Sequence, residues 1–194
     1  MSLNQDQHYI DKVLNGNVGS FAVLIDRYKH MVYTLAMKIL NTKEEAEEVS
    51  QDVFVKAYQM LPSFKGDSKF STWLYRIAYN RSLDYLKKRG RRLTTSSIDT
   101  DKDYYLDSMD NILDQMQREE HNVIIKNALG ELSEVDTVII TLHYFEELSL
   151  KEISKVVGLK VNAVKVRLFR SRKQLAQILQ HKLEPEIIEG YGRK

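Results

Sequence analysis

The chain is 194 residues long, 43% hydrophobic and 29% charged, the mix of an ordinary soluble protein with one domain or two small ones. Cys is absent, which excludes a disulfide framework, thiolate metal sites and a cysteine nucleophile and fits a reducing compartment. The net charge is only +2, but residues 1–93 carry 15 basic against 10 acidic residues, 94–120 carry 2 against 8, and 151–182 carry 9 against Glu152 alone, a lopsidedness that favours nucleic-acid contact over an evenly mixed surface.

Only 8 Gly and 2 Pro punctuate the chain, so turns are few and long helices are expected. No stretch reaches the ~18 apolar residues of a membrane span. The start, MSLNQDQHYI, has no secretory pattern. The expected address is the cytoplasm, without membrane insertion.

Nearly everything before Gly90 reads as helix. Phe21, Leu24, Ile25, Tyr28, Val32, Leu35 and Ile39 recur at a helical period over 18–40. Thr42 with Glu45 predicts a capping box opening the next helix, which Pro62 stops at about Leu61. Its apolar stripe is Ala46, Val49, Val53, Ala57 and Met60; the other face carries Glu48, Gln51, Asp52, Val55 and Gln59. After the loop 62–68, a third long helix is predicted from Ser71 to about Lys88.

That helix mixes rings with cations. Trp73, Arg76, Asn80, Asp84 and Lys87 share one face, Phe70, Leu74, Ile77 and Ala78 turn inward, and Tyr75, Tyr79, Leu83 and Leu86 form a third side. Rings interleaved with Arg and Asn suit unstacked bases. The terminal cluster Lys87, Lys88, Arg89, Arg91 and Arg92 suits phosphates. The plainer alternative is that Trp73 and the tyrosines are ordinary core.

Residues 93–108, LTTSSIDTDKDYYLDS, are too polar to offset their own ordering and read as an acidic linker. Periodicity resumes at Met109, Ile112, Leu113 and Met116, runs through Val123, Ile124 and Leu129, and ends at Gly130. Ser133 with Asp136 marks a helix start, running to about Tyr144. Propensity alone allows a strand in TVIITLHYF, but the cap and the helical neighbours favour helix.

The strongest local motif begins at Ser149. Ser149 and Glu152 form a predicted capping box, with Ile153, Val156 and Val157 on the buried side. Gly158 sits where a tight turn needs positive φ, and Leu159 tucks back. A second helix runs from about Val161 to Gln180, with Val161, Val164, Leu168 and Leu175 on one face and Asn162, Ala163, Val166, Arg170 and Lys173 on the other.

Two helices around a Gly-containing turn, the second basic outside, is the geometry that places a helix in a major groove. Arg170 suits guanine edges or phosphate, Val166 a thymine methyl, and Asn162 adenine edges or phosphate. Lys165, Arg167, Arg172 and Lys173 suit backbone positioning. The alternative is an αα-hairpin with a basic outer face and no ligand. The tail beyond Lys182 is expected to fray.

Catalysis has little support. Glu44, Glu48 and Asp52 recur at i, i+4 and i+8, which suits a divalent cation in a metal-dependent nuclease, but no second ligand cluster accompanies them. His8, His30, His121, His143 and His181 have no metal-ligand spacing, and no Gly-rich phosphate loop or GxSxG elbow is present. No cofactor or metal is expected. A stand-alone helix-turn-helix repressor is the other alternative; it needs a dimer and a palindromic site, and leaves the 44–92 pattern unexplained.

The run EEAEEVSQDVFVKAYQML followed by PSFKGDSKFSTWLYRIAYNRSLDYLKKRGRR resembles the promoter-melting region of bacterial sigma factors. Its pairing with LSLKEISKVVGLKVNAVKVRLFRSRKQL resembles the extracytoplasmic-function group of the sigma-70 family. The resemblance implies an all-α chain of two small helical domains on a flexible acidic linker. Residues 1–93 would be a region 2-like domain, 94–117 the linker, 118–182 a region 4-like helix-turn-helix domain and 183–194 a tail.

The implied partners are core RNA polymerase, promoter DNA and an anti-sigma protein clamped over both domains. Glu48, Gln51, Asp52 and Val55 would dock on the coiled coil of the largest polymerase subunit. Phe64 to Ser71, with Lys56, Trp73, Arg76 and Asn80, would capture a flipped base of the minus-ten element, with Lys87, Lys88 and Arg91 nearby. Asn162, Ala163, Lys165, Val166, Arg167, Phe169, Arg170 and Lys173 would serve the minus-thirty-five element. The linker would either thread the polymerase channel used by nascent RNA or serve as a plain tether. Val166 and Lys160 depart from the commoner family residues, a small polar residue and a helix cap.

Overall fold

A computed structural model of the chain describes residues 3–93, 124–125 and 127–182. The expected linker, the periodic residues Met109–Met116 and Val123, and the tail 183–194 lie outside the described residues. Among those described, every regular element is a helix.

The first module holds α1 (Leu3–Leu14), α2 (Phe21–Leu40), α3 (Lys43–Met60) and α4 (Phe70–Leu93). Short 3₁₀ turns at Val18–Ser20 and Leu61–Ser63 lead into α2 and out of α3. The three long helices pack pairwise because each buries its predicted stripe. Phe21, Leu24, Val32, Leu35 and Ile39 of α2 meet Ala46, Val49, Val53 and Ala57 of α3 and Phe70, Leu74, Ile77 and Ala78 of α4.

The first helix is pinned by a buried carboxylate. Asp6 accepts from Tyr28 Oη at 2.6 Å and pairs with Arg27, which offsets the desolvation of its charge. Burial and the neighbouring Asp6 carboxylate push the Tyr28 hydroxyl well above its ordinary pKa.

The second module holds a helical turn at 127–130, then α5 (Glu134–Tyr144), α6 (Leu150–Val157) and α7 (Val161–Lys182). The segment that propensity left between strand and helix is helix, with Thr137 to Leu142 all buried. Ser133 caps α5 by accepting from the Asp136 backbone N–H. The box at α6 is complete, Ser149 N donating to Glu152 Oε2 at 2.9 Å and Glu152 N to Ser149 Oγ at 3.3 Å. Gly158 ends α6 at φ 71°, a conformation a side chain would strain.

Three local expectations are corrected. The Thr42 box does not form: Thr42 Oγ1 donates to Glu45 Oε2 at 2.7 Å and to Leu40 O at 3.2 Å, so Glu45 faces the hydroxyl and Arg89 rather than the helix backbone. The third helix does not stop near Lys88 but runs through Gly90 to Leu93; a single helical Gly costs only about 1 kcal/mol. Val161 is exposed, because it precedes by a turn the first core contact of α7, Val164.

The two modules share one apolar cluster. α4 packs on α6, and α2 on α5.

Candidate nucleic-acid and polymerase interface

Three surface regions gather the sequence-predicted site residues. The first is the outer side of α3. Gln51, Asp52, Val55, Lys56 and Glu48 are all exposed there, Val55 at 58%. Two of them have intramolecular partners: Asp52 pairs with Arg81, and Glu48 accepts from Tyr85 Oη at 3.1 Å. Together with Arg89–Glu45 at 2.8 Å, these contacts wall a groove of about 300 Å³ between α3 and α4, also lined by Asp84 and Lys88. Glu44, Glu48 and Asp52 do not assemble a cation site. Among the described residues no group of three or more His, Cys, Asp or Glu is placed to hold a metal ion.

The second region is a cleft at the start of α4. Pro62 and the 3₁₀ turn end α3, and Gly66 at φ 76° turns the loop back toward α4. Phe64, Phe70 and Trp73 stack into one cluster, with centroids 5.2–5.6 Å apart. Phe70 is core, whereas Phe64 and Trp73 are half-buried.

The cleft beside these rings measures about 300 Å³ and is lined by Phe64, Lys65, Ser68, Thr72, Trp73 and Arg76. The Thr72 hydroxyl is buried and finds no hydrogen-bond partner. Arg76 and Asn80 are exposed on the same side of α4, and Ser71 is half-buried. Lys87 and Lys88 lie exposed farther along α4, and Arg91 lies in its last turn. Half-buried rings and open cations suit stacking on an unstacked base and contact with its phosphates.

The third region is the outer face of α7. Asn162, Ala163, Lys165, Val166, Phe169, Arg170 and Lys173 are all exposed, Phe169 at 70%. Val164 and Leu168 hold the opposite face in the core. Arg167 is half-buried and pairs with Asp136 at 2.9 Å, which ties α7 to α5 while its side chain stays partly open to solvent.

Tyr75 and Tyr79 had no assigned burial partner in the sequence. They are 2% and 4% exposed because the second module covers them. Tyr75 Oη donates to Glu146 Oε2, and burial with that carboxylate pushes its pKa far above the ordinary value. Burial also raises Tyr79, which lies within the fields of Arg167 and Glu134. The helical period marked these tyrosines as a separate side, but no periodicity names the surface that meets it.

A helix-turn-helix joined to a helical module with an open aromatic–basic cleft defines a two-module DNA-binding protein of transcription. Family models match both parts, "Sigma-70 region 2" over residues 24–92 and "Sigma-70, region 4" over residues 122–175. The chain belongs to the sigma-70 family, within its extracytoplasmic-function group.

It is 33% identical over 186 residues to the RNA polymerase sigma-H factor of Pseudomonas aeruginosa, covering 93% of this chain and 96% of that one. It is 34% identical over 188 residues to the ECF RNA polymerase sigma-E factor of Escherichia coli, covering 94% and 96%. Among solved structures, CnrH in complex with the cytosolic domain of CnrY matches at a TM-score of 0.66 and 26% identity, over 92% of this chain and 99% of that one. The sigma factor RpoE bound to the anti-sigma factor NepR from Bartonella quintana shares the fold, at a TM-score of 0.68 and 23% identity over 82% and 96%. The chain is therefore an alternative RNA polymerase sigma factor, a non-enzymatic initiation factor of a family that binds core polymerase and promoter DNA.

Proposed function

We propose the following division of labour. Residues 1–93 hold core polymerase and melt the promoter, 94–117 tether, and 118–182 hold the upstream element. Gln51 and Val55, with Glu48 and Asp52, form the polymerase-docking face. Phe64, Ser71, Trp73, Arg76 and Asn80, flanked by Lys56, Lys87, Lys88 and Arg91, take the minus-ten element as unstacked DNA. Asn162, Ala163, Lys165, Val166, Arg167, Phe169, Arg170 and Lys173 take the minus-thirty-five element in a major groove, Arg167 also tying the helix to its module through Asp136.

The observation that carries this reading is the cleft at Trp73. Its rings are half open beside the exposed cations Lys65 and Arg76, an arrangement suited to a base out of its stack. Extruding a base costs a few kcal/mol, which favours A/T-rich and easily unstacked steps.

A polymerase partner supports a cytoplasmic address; no helix among the described residues is long and apolar enough to cross a membrane. An anti-sigma protein is the expected regulator, a reading in keeping with CnrH having been solved with the cytosolic domain of CnrY and the Bartonella quintana RpoE with the anti-sigma factor NepR.

Run-off transcription on genomic fragments with purified core polymerase tests the reading. Start sites dependent on this chain, with weak binding of duplex DNA by the chain alone, are expected. Tight duplex binding without polymerase and unchanged start sites would establish the stand-alone repressor instead.

A further inference from the structure

A carboxylate sits where an apolar core needs none. Asp6, on α1, is only 5% exposed, and desolvating a charge is costly unless its oxygens find donors. Both do: Oδ1 takes the Arg27 guanidinium, and Oδ2 takes the Tyr28 hydroxyl at 2.6 Å. An apolar side chain of similar volume typically holds a helix as well as a buried ion pair does, so this arrangement calls for a reason beyond docking α1.

The reason lies in what the two partners touch next. Arg27 stays partly open to solvent and lies over the Tyr9 ring at 5.7 Å. Tyr28 leads to the cleft. Its ring meets Phe70 with centroids 5.5 Å apart and planes tilted by 52°. Phe70 in turn touches both rings of the cleft, Trp73 at 5.4 Å and Phe64 at 5.6 Å, and those two meet at 5.2 Å. Asp6 itself, with Gln7 and Ile10, walls a cavity of about 40 Å³ whose other side is the cleft loop at Phe64, Gly66 and Ser68.

A continuous line of contacts therefore runs from the carboxylate, through one hydroxyl and two rings, to Trp73. Packing alone admits both edge-on and offset arrangements of such rings. A hydrogen bond has a direction, and one at the far end of Tyr28 selects a single tilt for the ring that Phe70 leans on. Binding groups must be held within about 0.5 Å of the productive geometry, which is finer than ring packing supplies by itself.

We propose that Asp6 and Tyr28 are positioning residues for base capture: the carboxylate anchors the Tyr28 hydroxyl, and the anchored ring sets the angle of Trp73 and Phe64 through Phe70. The inference rests on the reading of the cleft as the minus-ten site. It gives α1 a task in promoter opening, although no residue lining the cleft belongs to that helix.

Trp73 is the sole tryptophan of the chain, so its emission reports the cleft directly. Tyr28→Phe in the full-length chain removes the hydroxyl and keeps the ring. Its Trp73 emission is expected to shift, with stronger quenching by acrylamide. With core polymerase, open-complex formation followed by permanganate is expected to slow about tenfold, inside the ~100-fold that a misplacement of ~1 Å can cost, while affinity for core polymerase holds. Adding Asp6→Asn to Tyr28→Phe is expected to slow opening no further, because both act through one bond.

The control is Ile39→Val, a trim of the buried core about three turns farther along α2. It is expected to lower the urea midpoint comparably and to leave Trp73 emission and promoter opening at their wild-type values. Wild-type emission or a wild-type opening rate in Tyr28→Phe overturns the positioning role, as does equal slowing in Ile39→Val, which would reduce both effects to lost stability. A Trp73→Ala chain that still opens promoters overturns the reading of the cleft instead, and that result is scored in a separate chain.

Discussion

The two modules solve the same problem in opposite ways. In the first, the rings proposed to take DNA are half embedded in the fold: Phe64 and Trp73 lean on Phe70, a core residue. In the second, the residues proposed to read the upstream element stand clear of the core on the outer face of α7, while Val164 and Leu168 do the packing. Melting needs rings held rigidly at a fixed angle, so recognition and stability share side chains. Groove reading needs only a helix with a free face, so there they separate.

Substitutions can sharpen or break that contrast. The largest effect is expected for Leu142→Ala in the small core of the second module, where a fully buried leucine typically contributes about 3–5 kcal/mol. Urea unfolding should show the loss, and upstream-element binding should fail while core polymerase is still bound. Trp73→Ala should cost about 2 kcal/mol of stability, because its ring is only half-buried, and should also abolish open-complex formation, read by permanganate footprinting. A variant that loses melting with no stability change would break the claim of shared side chains.

Arg170→Ala should leave the denaturation midpoint unmoved and cost about 1–3 kcal/mol at one upstream base pair. An equal loss on every sequence would make it a phosphate contact. Thr72→Val and Thr141→Val each remove a buried hydroxyl that has no partner and should each stabilise by about 1 kcal/mol. Only Thr72→Val, at the cleft, should also slow promoter melting.

The smallest effect is on pH dependence. Tyr75 is raised from its ordinary 10.0 by burial and Glu146, so its contribution is whole below that value and fades as pH climbs past it. Burial opposes the Glu152 charge, but bonds from Ser149 and Lys69 outweigh it and hold the carboxyl below its ordinary 4.5. Its contribution is present above that value and is lost as pH falls through the lowered one. The urea denaturation midpoint should accordingly keep the share these two groups contribute from about pH 5 to 10 and lose it outside that range.

Local chemistry was legible in the sequence where one residue settles one backbone group. Ser133 and Ser149 fixed helix starts, Pro62 ended α3, and Gly158 marked the turn; each acts within four residues of itself. The apolar stripes of α2, α3 and the inward face of α4 were equally plain, since burial there follows the helical period. The misses lie where a partner decides. Thr42 and Glu45 have the spacing of a box, but Arg89, distant in sequence, draws the carboxylate away. Arg167 stands on the basic side of α7 by composition, and its pairing with Asp136, distant in sequence, could not be read from spacing. Tyr75 and Tyr79 were visible as a distinct side of α4, yet which surface would bury them depended on a contact across 71 residues to Glu146.

Glu152 serves two masters, and only one of them is in its own module. Its second oxygen closes the turn with Ser149, while its first reaches Lys69. Drawing the modules apart breaks the second bond and leaves the first intact, so the short helix keeps its start and its shape. The bond to Lys69 can therefore be lost without unravelling the start of α6.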